Sequence, residues 1–137
     1  MERPGIENNE SKIEKEKLKK ILIIDDDVNF QKILDLTVKD RGYLLHAYTL
    51  EQAEQILGEN QDIDIIFLDG CLNNSAELDT VPFVKLAREM GFNKEIIAMS
   101  SDDKFNNILL ESGCDKKCDK FDMIPEILNI INSGDMK

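Results

Sequence analysis

Positive charge is scarce in this chain: 17 Lys and Arg stand against 28 Asp and Glu, for a net charge of −11 over 137 residues. That balance excludes DNA or RNA binding as a main activity, because phosphate contacts need a basic surface. Long apolar runs are lacking too. No stretch approaches the roughly 20 residues needed to span a bilayer, and the start is polar rather than signal-like, so a cytoplasmic protein with no membrane partner is expected. The only cysteines, Cys71, Cys114 and Cys118, are odd in number and have no zinc-type spacing. Small apolar residues in a reducing compartment account for them. His46 is the single histidine, on a strand-like segment, and no Ser or Cys has a nucleophile-like partner beside it. The chain is therefore not expected to be a phospho-histidine donor or a His-dependent hydrolase. No internal repeat or low-complexity tract is present.

What is there fits one domain with a full core. The first twenty residues carry six Lys/Arg against five Glu, so they stand at +1 and the rest of the chain at −12. Residues 1–19 read as a charged leader, solvated or helical, 20–132 as the folded domain and 133–137 as a short tail. Strands are expected at 21–24, 43–47, 63–68, 95–99 and 117–119, the last weak on its own pattern. Helices are expected around 29–40, from Leu50 to a stop at Gly58, around 81–90, within 103–111, and after a cap at Asp122. Pro82 and Pro125 fall in first turns, where no amide partner is needed. Asp27 reads as a first-turn or capping acid of the first helix. Five β/α units make a doubly wound α/β domain, a three-layer sandwich around a five-stranded parallel sheet.

Two apolar runs end in carboxylates: Ile21-Leu22-Ile23-Ile24 leads into Asp25-Asp26-Asp27, and Ile65-Ile66-Phe67-Leu68 into Asp69. Such runs read as strands buried on both faces of a parallel sheet. As parallel neighbours their carboxyl ends lie side by side, at the edge where open α/β sheets bind ligands. Unit charges about 4 Å apart repel by roughly 4 kcal/mol at an effective dielectric of 20, so converging carboxylates call for a cation, most naturally Mg²⁺. The fourth strand delivers Ser100 to the same edge and the fifth delivers Lys120. Asp25 and Asp26 can hold the metal, Asp69 can present an oxygen as nucleophile toward a phosphoryl donor, and Ser100 and Lys120 can bind phosphoryl oxygens.

The segments at 21–27, 65–69, 98–101 (Ala-Met-Ser-Ser) and 113–120 (Gly-Cys-Asp…Asp-Lys) resemble response-regulator receiver domains, the phosphoacceptor modules of two-component signalling, over about residues 20–132. The resemblance implies a flavodoxin-like (βα)5 fold, Asp69 as the phosphorylated residue, and a Mg²⁺ site of Asp25, Asp26, Asp69 and the Cys71 backbone carbonyl. It makes Ser100 the switch hydroxyl and Lys120 the family's lysine. It further implies phosphate from a sensor histidine kinase or a histidine phosphotransfer protein, no turnover beyond the domain's own phosphotransfer and dephosphorylation, and output through a downstream protein target or onward phosphotransfer. The face of the fourth helix, fifth strand and last helix would serve a partner or a homodimer, exposing Lys116, Lys117 and Asn106. With the chain ending at Lys137, a stand-alone receiver is expected, though an excised piece of a larger regulator has the same sequence.

Three departures from the family pattern stand out. Phe121 replaces the proline that usually follows the lysine, often through a cis bond, so a trans bond and a different approach of Lys120 are expected. The loop 70–80 lacks the usual Pro…Asp-Gly pattern. Lys117 occupies the position of the aromatic switch residue and cannot swing between buried and exposed states as a ring does. These favour an alternative, a degenerate receiver that acts as a constitutive interaction module. A Mg²⁺-dependent phosphohydrolase is a third reading, opposed by Cys71 at the position where such enzymes carry a second acid.

Overall fold

The strands line up in the order β2-β1-β3-β4-β5, all parallel, in a computed structural model that describes residues 18–72 and 77–135. Most of the leader therefore lies outside the described residues. The elements run β1 (Lys20–Ile24), α1 (Val28–Val38), β2 (Tyr43–Ala47), α2 (Leu50–Glu59), β3 (Ile65–Leu68), α3 (Val81–Glu89), β4 (Glu95–Ala98), α4 (Asp103–Ser112), β5 (Lys116–Lys117) and α5 (Met123–Asp135). This is the doubly wound (βα)5 architecture expected from the sequence. No helix among the described residues is long and apolar enough to cross a membrane.

Alternation along the central strands divides the core in two. Leu22, Ile24, Ile66, Leu68, Ile96 and Ala98 face α2, α3 and α4 and pack on Leu57, Phe83, Val84 and Leu109. Ile21, Ile23, Ile65, Phe67 and Ile97 face α1 and α5 and pack on Leu34, Val38, Met123, Ile127 and Ile131. The chain leaves β1 for one side of the sheet and returns as β3 on the other. The switch point, where the crossover direction reverses, thus lies between β1 and β3.

Boundary residues follow local chemistry. Asp27 caps α1 by accepting from Phe30 N at 3.0 Å, Thr49 caps α2 through Gln52 N at 3.1 Å, and Gly113 ends α4 at φ 129°, a conformation that favours glycine. The α2 stop expected at Gly58 is corrected. The helix runs on to Glu59, and Asn60 closes it by donating from Nδ2 to Ile56 O at 2.9 Å. The fifth strand is Lys116–Lys117 rather than 117–119, because Asp119 turns the chain into a 3₁₀ segment, Lys120–Asp122, and accepts from Phe121 N at 2.9 Å.

One backbone position among the described residues is strained. Lys39, after α1, has φ 51° and ψ −121°, outside the regions an L side chain prefers. Lys39→Gly is expected to raise stability by about 1 kcal/mol, read as a higher denaturant midpoint with unchanged slope; an unchanged or lower midpoint would show that no strain is relieved.

Candidate functional site

The ladder continues one residue past the strands at the carboxyl edge of the sheet. Asp25 N donates to Ala47 O at 3.0 Å, Asp69 N to Ile24 O at 3.0 Å, Met99 N to Leu68 O at 2.9 Å and Cys118 N to Ala98 O at 2.7 Å. Because Ile24 and Leu68 are register partners, the residues that follow them, Asp25 and Asp69, emerge side by side at the switch point. One carboxylate oxygen from each of Asp25, Asp26 and Asp69 can be chosen so that all lie within 4.8 Å of one another.

Burial makes that cluster costly. Asp25 is 0% exposed and Asp69 9%. Burial, followed by the neighbouring Asp25 charge, pushes the Asp69 carboxyl up to about 7. Asp25 is raised as well, chiefly by burial and against the pull of Lys120. Lys120 Nζ lies 2.8 Å from Asp25 Oδ2 and 3.7 Å from Asp69 Oδ2, and 4.8 Å from the centre of the Phe30 ring. Burial works against the ammonium, but Asp25 and Asp69 outweigh it and hold Lys120 above the ordinary lysine range. The Lys120–Phe121 bond is trans, no cis bond being present among the described residues, and Lys120 still reaches both carboxylates.

The remaining lone pairs are unevenly used. Asp25 Oδ1 accepts from Asp27 N at 2.9 Å, and Asp69 Oδ1 accepts from Gly70 N at 2.7 Å. Asp25 Oδ2 is buried and finds no well-directed hydrogen-bond donor; its 2.8 Å contact with Lys120 is an ion pair. A set of hard oxygen donors with one such buried atom fits a divalent cation of the Mg²⁺ class. Ser100, 4% exposed, comes up beside the cluster: a Cβ added to Gly70 would sit 3.3 Å from Ser100 Cβ.

The loop after Asp69 is tied at both ends although it lacks the expected pattern. Asp79 N donates to Gly70 O at 3.0 Å, Thr80 Oγ1 donates to the same carbonyl at 3.2 Å, and Leu72 N donates to Asp79 Oδ1 at 2.9 Å. Burial pushes Cys114 up to about 12 and Cys118 up to about 11. Cys71 is raised by burial and then by Asp69 and neighbouring carboxylates, so all three remain thiols at neutral pH.

Sequence reasoning missed two buried carboxamides. Gln31, 1% exposed, donates from Nε2 to Asp25 O at 2.9 Å and Ala47 O at 3.0 Å, bracing the end of β1 against β2. Its Oε1 accepts from His46 Nδ1, whose ring also meets Asp35 through Nε2. Asn106 was expected on the exposed face and is instead 2% exposed, because its side chain folds back onto Ser100. The available signal was position: Gln31 shares a helical stripe with Leu34 and Val38, and Asn106 with Leu109. Lys117 is tied to α4, with Nζ 2.9 Å from Asp103 Oδ1 and 3.0 Å from Asn107 Oδ1.

No protein-family model matches the sequence, and no curated protein matches it either. Solved structures do match. A two-component response regulator from Clostridium difficile is 25% identical over 84% of this chain and 96% of its own, with a TM-score of 0.69. The receiver domain of the Francisella response regulator 1452 is 22% identical over 85% of this chain and 95% of its own, with a TM-score of 0.68. A response regulator from Burkholderia pseudomallei, solved with a phosphorylated aspartic acid, a calcium ion and citrate, is 20% identical over 80% of this chain and 64% of its own, with a TM-score of 0.68.

Proposed function

We propose that this chain, whose fold is that of response-regulator receiver domains, is a phosphoacceptor in which residues 20–132 form the receiver unit and Asp69 takes a phosphoryl group from a phospho-histidine. The observation that carries this reading is the convergence of Asp25, Asp26 and Asp69 at the switch point with the Lys120 ammonium held against them. The regulator from Burkholderia pseudomallei, solved with both a phosphorylated aspartic acid and a calcium ion, supports it.

In the reaction, an ionised Asp69 oxygen attacks phosphorus, the new O–P bond forms as the histidine N–P bond breaks, and the departing ring nitrogen keeps the electron pair while a proton on the ring's other nitrogen leaves the imidazole neutral. Asp25, Asp26 and Asp69, with the Cys71 carbonyl, would hold Mg²⁺, which supplies charge neutralisation for the transferring group. Lys120, already 3.7 Å from Asp69 Oδ2, pairs with one phosphoryl oxygen as a point charge, and the Ser100 hydroxyl donates to another. The products are an acyl phosphate on Asp69 and a neutral histidine on the donor, a sensor kinase or a phosphotransfer protein. Signal leaves by binding a downstream protein or by onward transfer, with the α4-β5-α5 face as the candidate surface.

One observation favours a constitutive interaction module instead. The ties of Lys117 to Asp103 and Asn107 join β5 to α4 where a movable aromatic would otherwise report the state of the site. Intact mass after incubation with Mg²⁺ and acetyl phosphate decides between the readings. A gain of one phosphoryl group that needs Mg²⁺ and vanishes in Asp69→Asn is the expected result. No gain from acetyl phosphate or from a phosphorylated histidine donor, in a protein that binds Mg²⁺, would establish the constitutive module.

A further inference from the structure

We propose that Asn106 is a positioning residue, whose buried carboxamide holds Ser100 so that the serine hydroxyl proton is kept for a phosphoryl oxygen on Asp69. This rests on the phosphoacceptor reading and extends it to a residue outside the acidic pocket.

Asn106 Oδ1 accepts from Ser100 N at 2.8 Å, and Nδ2 donates to Ser100 O at 2.9 Å. Beyond the last rung of the sheet, the side chain thus does for Ser100 what a neighbouring strand does for residues within the ladder. A carboxamide that is 2% exposed must be hydrogen-bonded to be tolerated, and this one spends an acceptor and a donor on a single residue. Both main-chain groups of Ser100 are thereby fixed, which sets where its Cβ points.

The hydroxyl is then oriented by elimination. Ser100 Oγ accepts from Asp102 N at 3.0 Å. That bond occupies a lone pair and leaves the proton, which meets no protein acceptor among the described residues. With Ser100 Cβ close to Gly70, the residue after Asp69, the proton remains available on the side where a phosphoryl group would stand. A simple buried strut for α4 would account for one bond to the main chain. The paired bonds to the one residue that carries the hydroxyl assign the carboxamide to that hydroxyl.

The test is a double-mutant cycle on the rate of phosphoryl gain from acetyl phosphate at saturating Mg²⁺, with wild type, Asn106→Ala, Ser100→Ala and the double variant, each checked for Mg²⁺ affinity and cooperative melting. Asn106→Ala is expected to slow the gain roughly tenfold, the scale of one oriented hydrogen bond in a transition state, and to match Ser100→Ala. The double variant should be no slower than Ser100→Ala alone, with Mg²⁺ affinity unchanged. Asn106→Asp, which keeps the volume but sets an oxygen against Ser100 O, should show the same loss and serves if the alanine variant does not fold. A wild-type rate in either variant, or slowing that multiplies with Ser100→Ala, would overturn the inference while leaving the phosphoacceptor reading intact. A wild-type chain that gains no phosphoryl group would overturn both.

Discussion

Lys120→Met is expected to cost the metal-free protein about 3–5 kcal/mol at pH 8, the scale of removing one partner of a buried ion pair. Among the described residues the ammonium is the only positive charge paired with Asp25 Oδ2, at 2.8 Å, and Asp25 is wholly buried. Methionine fills a similar volume and keeps contact with Phe30, so lost packing contributes little and the charge decides. Protonation limits the damage: without Lys120 the carboxyls take up protons more readily, so the cost should shrink as pH falls toward 5. It should shrink also in an Asp69→Asn background, where one of the two buried acids no longer ionises, and when Mg²⁺ is added. Denaturant titrations of the single and double variants at both pH values measure all of this. A Lys120→Met protein as stable as wild type at pH 8 would mean that the ion pair is not what makes the cluster tolerable.

The acidic cluster was legible in the sequence because strand ends are. Apolar runs at 21–24 and 65–68 fix the side-by-side placement of Asp25 and Asp69 once both strands are parallel neighbours, and the register bears this out. Asp27 was legible as a cap because capping is a contact over three residues. The fifth strand was misplaced because its two lysines are exposed on both sides and carry no apolar pattern; its position is set by β4 and by the Asp119 turn. Asn106 was misjudged for a different reason. A carboxamide on a helix is ordinarily solvated, and only the closing of the turn at 100–102 brings the Ser100 amide and carbonyl within its reach. Polar residues on an otherwise apolar stripe are where the sequence alone marks such sites, and Gln31 is marked in the same way.

The metal-free protein should melt higher at pH 5 than at pH 8, and Mg²⁺ should reverse the order. Burial and the neighbouring Asp25 charge push the Asp69 carboxyl from its ordinary 3.8 up to about 7 in the folded chain, so the folded state binds the proton more tightly than the unfolded state does. Its contribution to stability is therefore fully present below about pH 4 and is lost as pH rises through 7. At 1.36 kcal/mol for each unit of pKa, the full loss is on the order of 4 kcal/mol, and the roughly two units of it that fall between pH 5 and pH 8 come to about 3 kcal/mol, or roughly ten degrees in melting temperature for a domain of this size. Divalent cation works in the opposite direction, because it binds the ionised carboxylates and stabilises by RT ln(1 + [L]/Kd), a gain that protons compete away at pH 5. Melting curves at the two pH values, in EDTA and in millimolar Mg²⁺, give four numbers, and Asp69→Asn supplies the control. That variant has no carboxyl to protonate at this position and should lose most of the pH dependence seen in EDTA. If it keeps the wild-type slope, the acid sensitivity arises from the net charge of the whole chain rather than from the crowding of Asp25 and Asp69.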